Sequence, residues 1–324
     1  MMVVEVPVNG QSFLAFDYGL KRTGVASGNG VGTGANHLEV NVTRLAGNIQ
    51  GTGTGGLYVS ESNGLEVGTL NAINVNQVGV DGFVTATTDA VQSNLSSASN
   101  LVLVTLAGSL ESMSAGGAIS TAGNTLLQAL GGTSDITLGG ELSNTAGNTS
   151  VDAARSVVQN ANITAAAAGT VDVRAGAAIS MADGVVTSTG TGNIRYAAVG
   201  TLTLGALSTG GDVSLSASSI SDAGSSGTDS VNVTADELRL VTTGVANGNG
   251  VGTGANHLEV SVTRLAASVQ GTGTGGLYVS ESDGVQVGTL SAINVNQVGS
   301  DAVVTASTDA AQSDLVSASS LVLV

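Results

Sequence analysis

Residues 23–104 and 243–324 are two copies of one text, held at a constant offset of 220 in the numbering. They have no insertion or deletion between them and differ at only 17 of 82 aligned positions. No other feature constrains the fold as strongly. A chain that repeats itself at this length must place equivalent side chains in equivalent surroundings, and stacked arrays of one supersecondary unit do so.

The unit is legible in the hydrophobic pattern. In the run from His37 to Thr43, Leu38, Val40 and Val42 point one way and Glu39, Asn41 and Thr43 the other. This is the period of two of a half-buried strand. The same alternation returns at Ile136/Leu138, Val171/Val173, Ile194/Tyr196, Val213/Leu215, Val231/Val233 and Leu238/Leu240. Four of these pairs open at residues 171, 194, 213 and 231, in steps of 23, 19 and 18, and both Leu38 to Leu57 and Leu258 to Leu277 are steps of 19. Glycine-rich clusters such as residues 51–56 and 209–212 fall between them as turns.

A step of about 20 residues with two or three short strands fits one rung of a parallel β-solenoid, each rung lying about 4.8 Å above the last. The predicted fold is therefore all-β, a parallel β-solenoid (β-helix) over residues 30–324. It would have some fourteen to sixteen rungs and a length of roughly 70 Å. Composition agrees: there is no Trp, with three Phe and four Tyr, so Val, Leu, Ile and Ala must fill the narrow interior. The 48 Gly are about twice the usual share and supply corners needing positive φ. An array of β-sandwiches uses the same alternation, but with strands spaced every 8–12 residues and usually a buried aromatic, which this chain does not offer. Residues 126–130 and 151–158 could each wind a turn or two of helix and are expected as loops or local insertions on the rod.

Substitutions between the copies follow the same logic. Ile49 becomes Val269 and Leu65 becomes Val285, as an apolar interior requires. Asn63/Asp283 and Asn94/Asp314 read as turns. Val80/Ser300 and Ser96/Val316 exchange apolar for polar and are expected to face solvent or lie at corners.

Only 10% of residues are charged, yet the net charge is −16. Phosphate binding needs clustered Lys and Arg, so nucleic acid is excluded as a partner of the main body, and anionic membrane surfaces are disfavoured. Without Cys there is no disulfide or thiolate metal site. No apolar run reaches the length of a membrane-spanning helix.

Residues 1–22 break from this pattern. They hold the only Pro (Pro7), the only Lys (Lys21) and two of the three Phe, Phe13 and Phe16. The opening MMVVEVPVNGQS has neither the basic region nor the apolar core of a secretory signal. Residues 1–22 therefore read as a distinct strand-turn segment, with a seam at 23–29, ahead of the solenoid at 30–324. The run FLAFDYGLKRTGVASGN, residues 13–29, is an apolar strand ending in Asp17, a Gly19 turn, a basic pair and a second strand start. A carboxylate in that setting can hold Mg²⁺ against a phosphodiester. These residues resemble the first strand and hairpin of the YqgF family, RNase-H-fold proteins described as putative Holliday junction resolvases and ribosomal RNA maturation nucleases. The resemblance implies that Asp17 is the first metal-binding, catalytic acid of a cytoplasmic, Mg²⁺-dependent nuclease. After Asn29 that family's later acids, helices and basic surface do not follow, so Asp17 is expected to be inert.

The body has another resemblance. GTVDVRAGAAISMADG (169–184) and GGDVSLSASSISDAG (210–224) are similar in style to the β-helical repeats of filamentous-haemagglutinin-type bacterial adhesins. This implies a structural or adhesive segment of a large surface or secreted protein, meeting cells, matrix or glycans without catalysis.

Other candidate sites are weaker. His37 and His257, beside Glu39 and Glu259, are expected to be exposed strand openers rather than a metal pair. The GNGVGTG of residues 28–34 lacks the Lys-Ser/Thr of a phosphate-binding loop and reads as a turn. Solenoid turns can bind Ca²⁺, but the acids are scattered and no Gly-Gly-x-Gly-x-Asp repeat occurs, so no cofactor is expected. The chain closes on Leu-Val-Leu-Val324, an uncapped solenoid edge that invites end-to-end self-association.

Overall fold

The computed structural model describes residues 13–225 and 230–324. The leaderless reading of the opening MMVVEVPVNGQS falls outside them. Among the described residues there is no helix. Twenty-eight strands form one continuous parallel sheet wound as a β-solenoid of about 11 turns, and four more make two antiparallel hairpins.

Each turn contributes one strand to each of three faces. On the first face Asn100–Thr105, Thr125–Ala129, Thr149–Ala153, Val171–Ala175, Ile194–Ala198 and Val213–Ala217 lie in register. The second runs through Leu65–Val67, Leu110–Ser112, Ile136–Leu138, Val157–Gln159, Ile179–Met181, Thr201–Leu204 and Ser219–Asp222. The third runs through Leu95–Ser97, Ile119–Thr121, Leu142–Asn144, Ile163–Thr164, Val186–Ser188 and Ala206–Ser208.

Period-two alternation dictates the interior. Leu103, Leu127, Val151, Val173, Tyr196, Leu215 and Leu240 stand directly over one another and are fully buried. Each such side chain contributes about 1.5–3 kcal/mol by leaving water. Tyr196 is the exception to an aromatic-free column. Its hydroxyl lies 2.6 Å from Thr187 Oγ1 and donates to Gln159 Oε1 at 2.7 Å, which satisfies a group whose burial would otherwise be costly. Corners are held by an asparagine ladder: the Oδ1 of Asn100, Asn124 and Asn148 accept the backbone N–H of Asn124, Asn148 and Thr170 at 2.9, 3.0 and 3.1 Å.

Several expectations need correction. Residues 126–130 and 151–158 are not insertions: Thr125–Ala129, Thr149–Ala153 and Val157–Gln159 are regular strands. The register on the first face advances from Leu101 to Thr125, Thr149, Val171, Ile194, Val213, Leu238 and Leu265, in steps of 24, 24, 22, 23, 19, 25 and 27. These steps are mostly longer than 20, and two hairpins withdraw further residues from the wall. There are therefore about 11 turns, and the stack is about 50 Å long. The turn readings hold: Asn94 and Asp314 have φ of 65° and 66°. Val80 and Ser300 are exposed at hairpin tips.

Phe13–Arg22 is also part of the wall. It pairs in parallel with residues 40–49, Phe13 beside Val40 and Arg22 beside Ile49. Val233–Thr242 pairs with residues 260–269 in the same register, every partner displaced by 220.

The two copies nevertheless sit differently. Val31 bridges to Leu57, and Leu57 pairs with Leu101 on the first face. Its equivalent Val251 bridges to Leu277 in the same way, but its neighbour on the other side is Ile220, on the second face. The second copy is thus the same local structure joined to different columns of the wall: Leu45 leads through Val67 to the second face, whereas its equivalent Leu265 follows Leu238 on the first.

Candidate interaction surface

The residues singled out from sequence are engaged in holding rungs together. Asp17 lies beside Arg44 of the next rung, and Arg44 binds Glu66 Oε2 through Nη2 at 2.7 Å. Its equivalent Glu237 makes an ion pair with Arg264. Asp17 therefore stands where the solenoid places an acid facing an arginine. His37 Nδ1 is 2.8 Å from Ser60 Oγ and Nε2 is 2.9 Å from the carbonyl of Ser300, so the ring is half-buried rather than simply exposed. His257 makes the same contact to Ser280 at 2.8 Å. Glu39 is exposed and Glu259 buried. The GNGVGTG stretch is a corner, with Gly28 and Gly32 at φ of 84° and 67°. It packs so tightly on the next corner that a Cβ on Gly51 would lie 1.2 Å from the Asn29 carbonyl oxygen. Among the described residues no three His, Asp or Glu gather as a metal-binding group.

What sequence reading missed lies outside the first face. Ile293–Val298 and Val304–Asp309 form a hairpin that leaves the last turns and folds back along the solenoid axis. Asn193 Nδ2 donates to the Asn294 carbonyl at 2.9 Å. One rung on, Asn296 N donates to Thr170 Oγ1 at 2.8 Å and Asn296 Nδ2 to Asn148 Oδ1 at 3.1 Å. Val298 N then donates to Ser150 Oγ at 2.9 Å. Near the tip, Asn124 Nδ2 donates to the Ala302 carbonyl at 3.0 Å. Val298 and Ala302 close a small apolar cluster with Tyr58, Val102, Val104 and Leu126, the outward side chains of three successive rungs. Those outward apolar residues were the available signal: Leu101–Val104 and Leu126–Leu127 are unbroken apolar runs where a wall facing water would alternate.

The base of the hairpin closes a charge ladder. Arg174 lies between Asp152 at 2.9 Å and Asp172 at 3.5 Å, and Arg195 lies between Asp172 at 3.1 Å and Asp309 of the hairpin at 3.0 Å. Asp172 is fully buried, and burial pushes its carboxyl above the ordinary aspartate range against the opposing pull of Arg195 and Arg174. Gln297, with its amide oxygen turned to Arg174, adds a further acceptor.

The first copy carries an equivalent hairpin, Ile73–Val78 and Val84–Asp89, and INVNQV is identical in both. Its surroundings are not. Val295 and Val298 are 1% and 2% exposed, whereas Val75 and Val78 are 45% and 67% exposed and Phe83 is 75% exposed. The bases are anchored alike, Gln92 Nε2 donating to the Leu20 carbonyl and Gln312 Nε2 to that of Leu240. Upstream of Leu240 the second hairpin meets the strands of the first face. Upstream of Phe13–Arg22 there is no further strand among the described residues. The seated hairpin and its strip thus define an interaction surface, and the first hairpin presents the same chemistry unfilled.

Comparison with protein-family models, curated proteins and solved structures finds no match for this chain.

Proposed function

We propose that this chain is a structural and adhesive segment of a large repetitive bacterial surface or secreted protein, acting as a stiff rod rather than as a catalyst. The observation that supports this reading is the solenoid: about 11 turns of parallel strands around one continuous apolar column. In such a stack every rung is clamped by two neighbours, so the wall resists bending and presents long outward strips to a partner. An acidic, lysine-poor surface suits a partner such as matrix protein, glycan or another cell surface, and lateral repulsion between negatively charged rods keeps them dispersed.

The test has two arms. Solution scattering of the purified chain should give a rod whose long dimension matches about 50 Å of stacked rungs plus corner loops. Surface-immobilised chain should then retain cells, matrix proteins or glycans above an unrelated acidic control. Failure to bind any of these ligands would refute the adhesive part. The competing nuclease activity, implied only by residues 13–29, is checked with Mg²⁺ and branched DNA or structured RNA. Cleavage that disappears in Asp17→Asn would overturn the proposal.

A further inference from the structure

We infer that Asn63 is a self-modification site, where the backbone nitrogen of Gly64 displaces the side-chain amide and water then leaves an acid in its place.

The reaction favours an Asn followed by Gly. The attacking nitrogen must swing onto the side-chain carbon, and a Cβ on the following residue hinders that movement. Four such pairs lie among the described residues: Asn29-Gly30, Asn63-Gly64, Asn247-Gly248 and Asn249-Gly250. The fold locks three of them. The Asn29 carbonyl is boxed by glycines of the adjoining corner, where a Cβ on Gly51 or Gly55 would lie 1.2 or 2.3 Å from its oxygen. Asn249 is boxed in the same way by Gly271 and Gly275, at 1.2 and 2.2 Å. Turning either peptide plane towards its side chain would drive that oxygen into close-packed backbone. Asn247 is held through its side chain, Oδ1 accepting the Thr274 N–H at 2.8 Å, and the Gly248 N–H donates to the Thr272 carbonyl at 3.2 Å.

Asn63 is under no such restraint. It is exposed, in the turn between strands Gly56–Glu61 and Leu65–Val67. A single bond of 3.1 Å, from Nδ2 to Asn41 Oδ1, holds its side chain, and the Gly64 N–H has no acceptor among the described residues. Attack joins Gly64 N to Asn63 Cγ and breaks the Cγ–Nδ2 bond, and Nδ2 leaves as ammonia with the Gly64 amide proton. The cyclic imide then takes up one water at either carbonyl. One opening gives aspartate; the other gives isoaspartate, with the main chain rerouted through the side chain. No reactant other than water is needed. The second copy encodes the aspartyl product: Asp283 stands at the equivalent position, ahead of Gly284. The wall therefore accepts an acid in this turn. Beside it, burial raises the Glu281 carboxyl, and a hydrogen bond with the Asp283 carboxyl adds to the rise. In the first copy Glu61 is fully buried, its Oε1 accepting the Asn63 N–H at 3.0 Å. Conversion of Asn63 gives that buried acid the same neighbour and adds one more negative charge to an acidic rod.

The test is peptide mapping by mass spectrometry of the folded full chain, aged in mildly alkaline heavy-oxygen water. The peptide containing Asn63 should convert progressively, each product carrying one solvent oxygen, with fragment ions for both the aspartyl and the isoaspartyl forms. Peptides containing Asn29, Asn247 and Asn249 should stay unconverted in the folded chain and convert in urea, where the fold no longer protects them. Gly64→Ala should slow conversion at Asn63 about tenfold or more, since a Cβ narrows the backbone angles open to the attacking nitrogen. That Cβ would lie 3.0 Å from the Ser109 oxygen, so circular dichroism must first show that the variant keeps its β fold. If it does not, the comparison of the four sites within wild type decides alone. An Asn63 that converts no faster than the other three in the folded chain would overturn the inference. Undiminished conversion in a folded Gly64→Ala chain would overturn it equally.

Discussion

Val78 and Val298 occupy the same place in the same INVNQV sequence, and the structure gives them opposite energetic roles. Truncating each to Ala removes the same two carbon atoms. At Val298, which is 2% exposed against Tyr58, Val102, Val104 and Leu126, those atoms are lost from a closed cluster. At about 0.8 kcal/mol per buried carbon the loss is about 1.6 kcal/mol, before any cavity term. At Val78, 67% exposed, the expected change is within about 0.5 kcal/mol. The seat of the hairpin can open without unfolding the wall, so the difference belongs in a local measurement. Amide hydrogen exchange followed by mass spectrometry reads it directly. Peptides covering 293–309 should exchange about fifteenfold faster in Val298→Ala, since about 1.36 kcal/mol is a factor of ten. Peptides covering 73–89, already fast, should not change in Val78→Ala. Equal responses of the two hairpins would refute the reasoning, because the sequences cannot distinguish them and only docking can.

Other expectations follow from the same geometry. Leu127→Ala, in the middle of the interior column, should cost about 2–5 kcal/mol and lower the urea midpoint without changing the slope. Asn94→Ala should destabilise by about 1–2 kcal/mol and Asn94→Gly by less. The residue has φ of 65°, and its Oδ1 accepts the Ala118 N–H at 3.1 Å, so Ala loses both the tolerated conformation and the bond. Asp172 has its folded pKa raised by burial, so the folded state holds its proton more tightly than the unfolded chain. Its contribution to stability is therefore greatest at low pH and declines as pH rises from the ordinary aspartate range through the raised value. Urea titrations from about pH 3 upward should show that decline flattened in Asp172→Asn. Asp135 runs the other way: its hydrogen bond from Arg155 lowers its pKa, so its small, largely exposed contribution is present above the ordinary aspartate range and lost as pH falls. Arg155→Gln should remove that acid-side loss.

Much of the wall was readable because alternation is a local property. Leu38, Val40 and Val42 declare an inward face wherever the strand sits, and Asn94 and Asp314 mark a turn by the conformation their side chains tolerate. The stretch 126–130 misled because Leu126 is apolar yet faces outward. It is buried by Val298 and Ala302 of a hairpin far along the chain, and no local pattern reports that. The interaction surface was illegible for the same reason. Ser150, Thr170 and Asn148 look like ordinary corner and wall residues until the hairpin donates to them.

The sequence by itself determined a repeated, strand-forming text with an apolar face every second residue, and a parallel solenoid is its natural packing. It also determined that both copies fold alike, since 65 of their 82 positions are identical. Only the tertiary structure decided where each copy points. A single turn carries Ile194 to Val213 at one level and Leu238 to Leu265 at another, so turn length changes with the conformation of each corner. The offset of 220 between the copies therefore does not make a whole number of turns. The two copies join different columns of the wall, the second copy's hairpin meets a prepared strip, and the identical INVNQV strand of the first hairpin keeps Val75 and Val78 exposed. Column placement is a sum over every corner in between, and a sum of that kind is fixed by the assembled stack rather than by any single stretch of sequence.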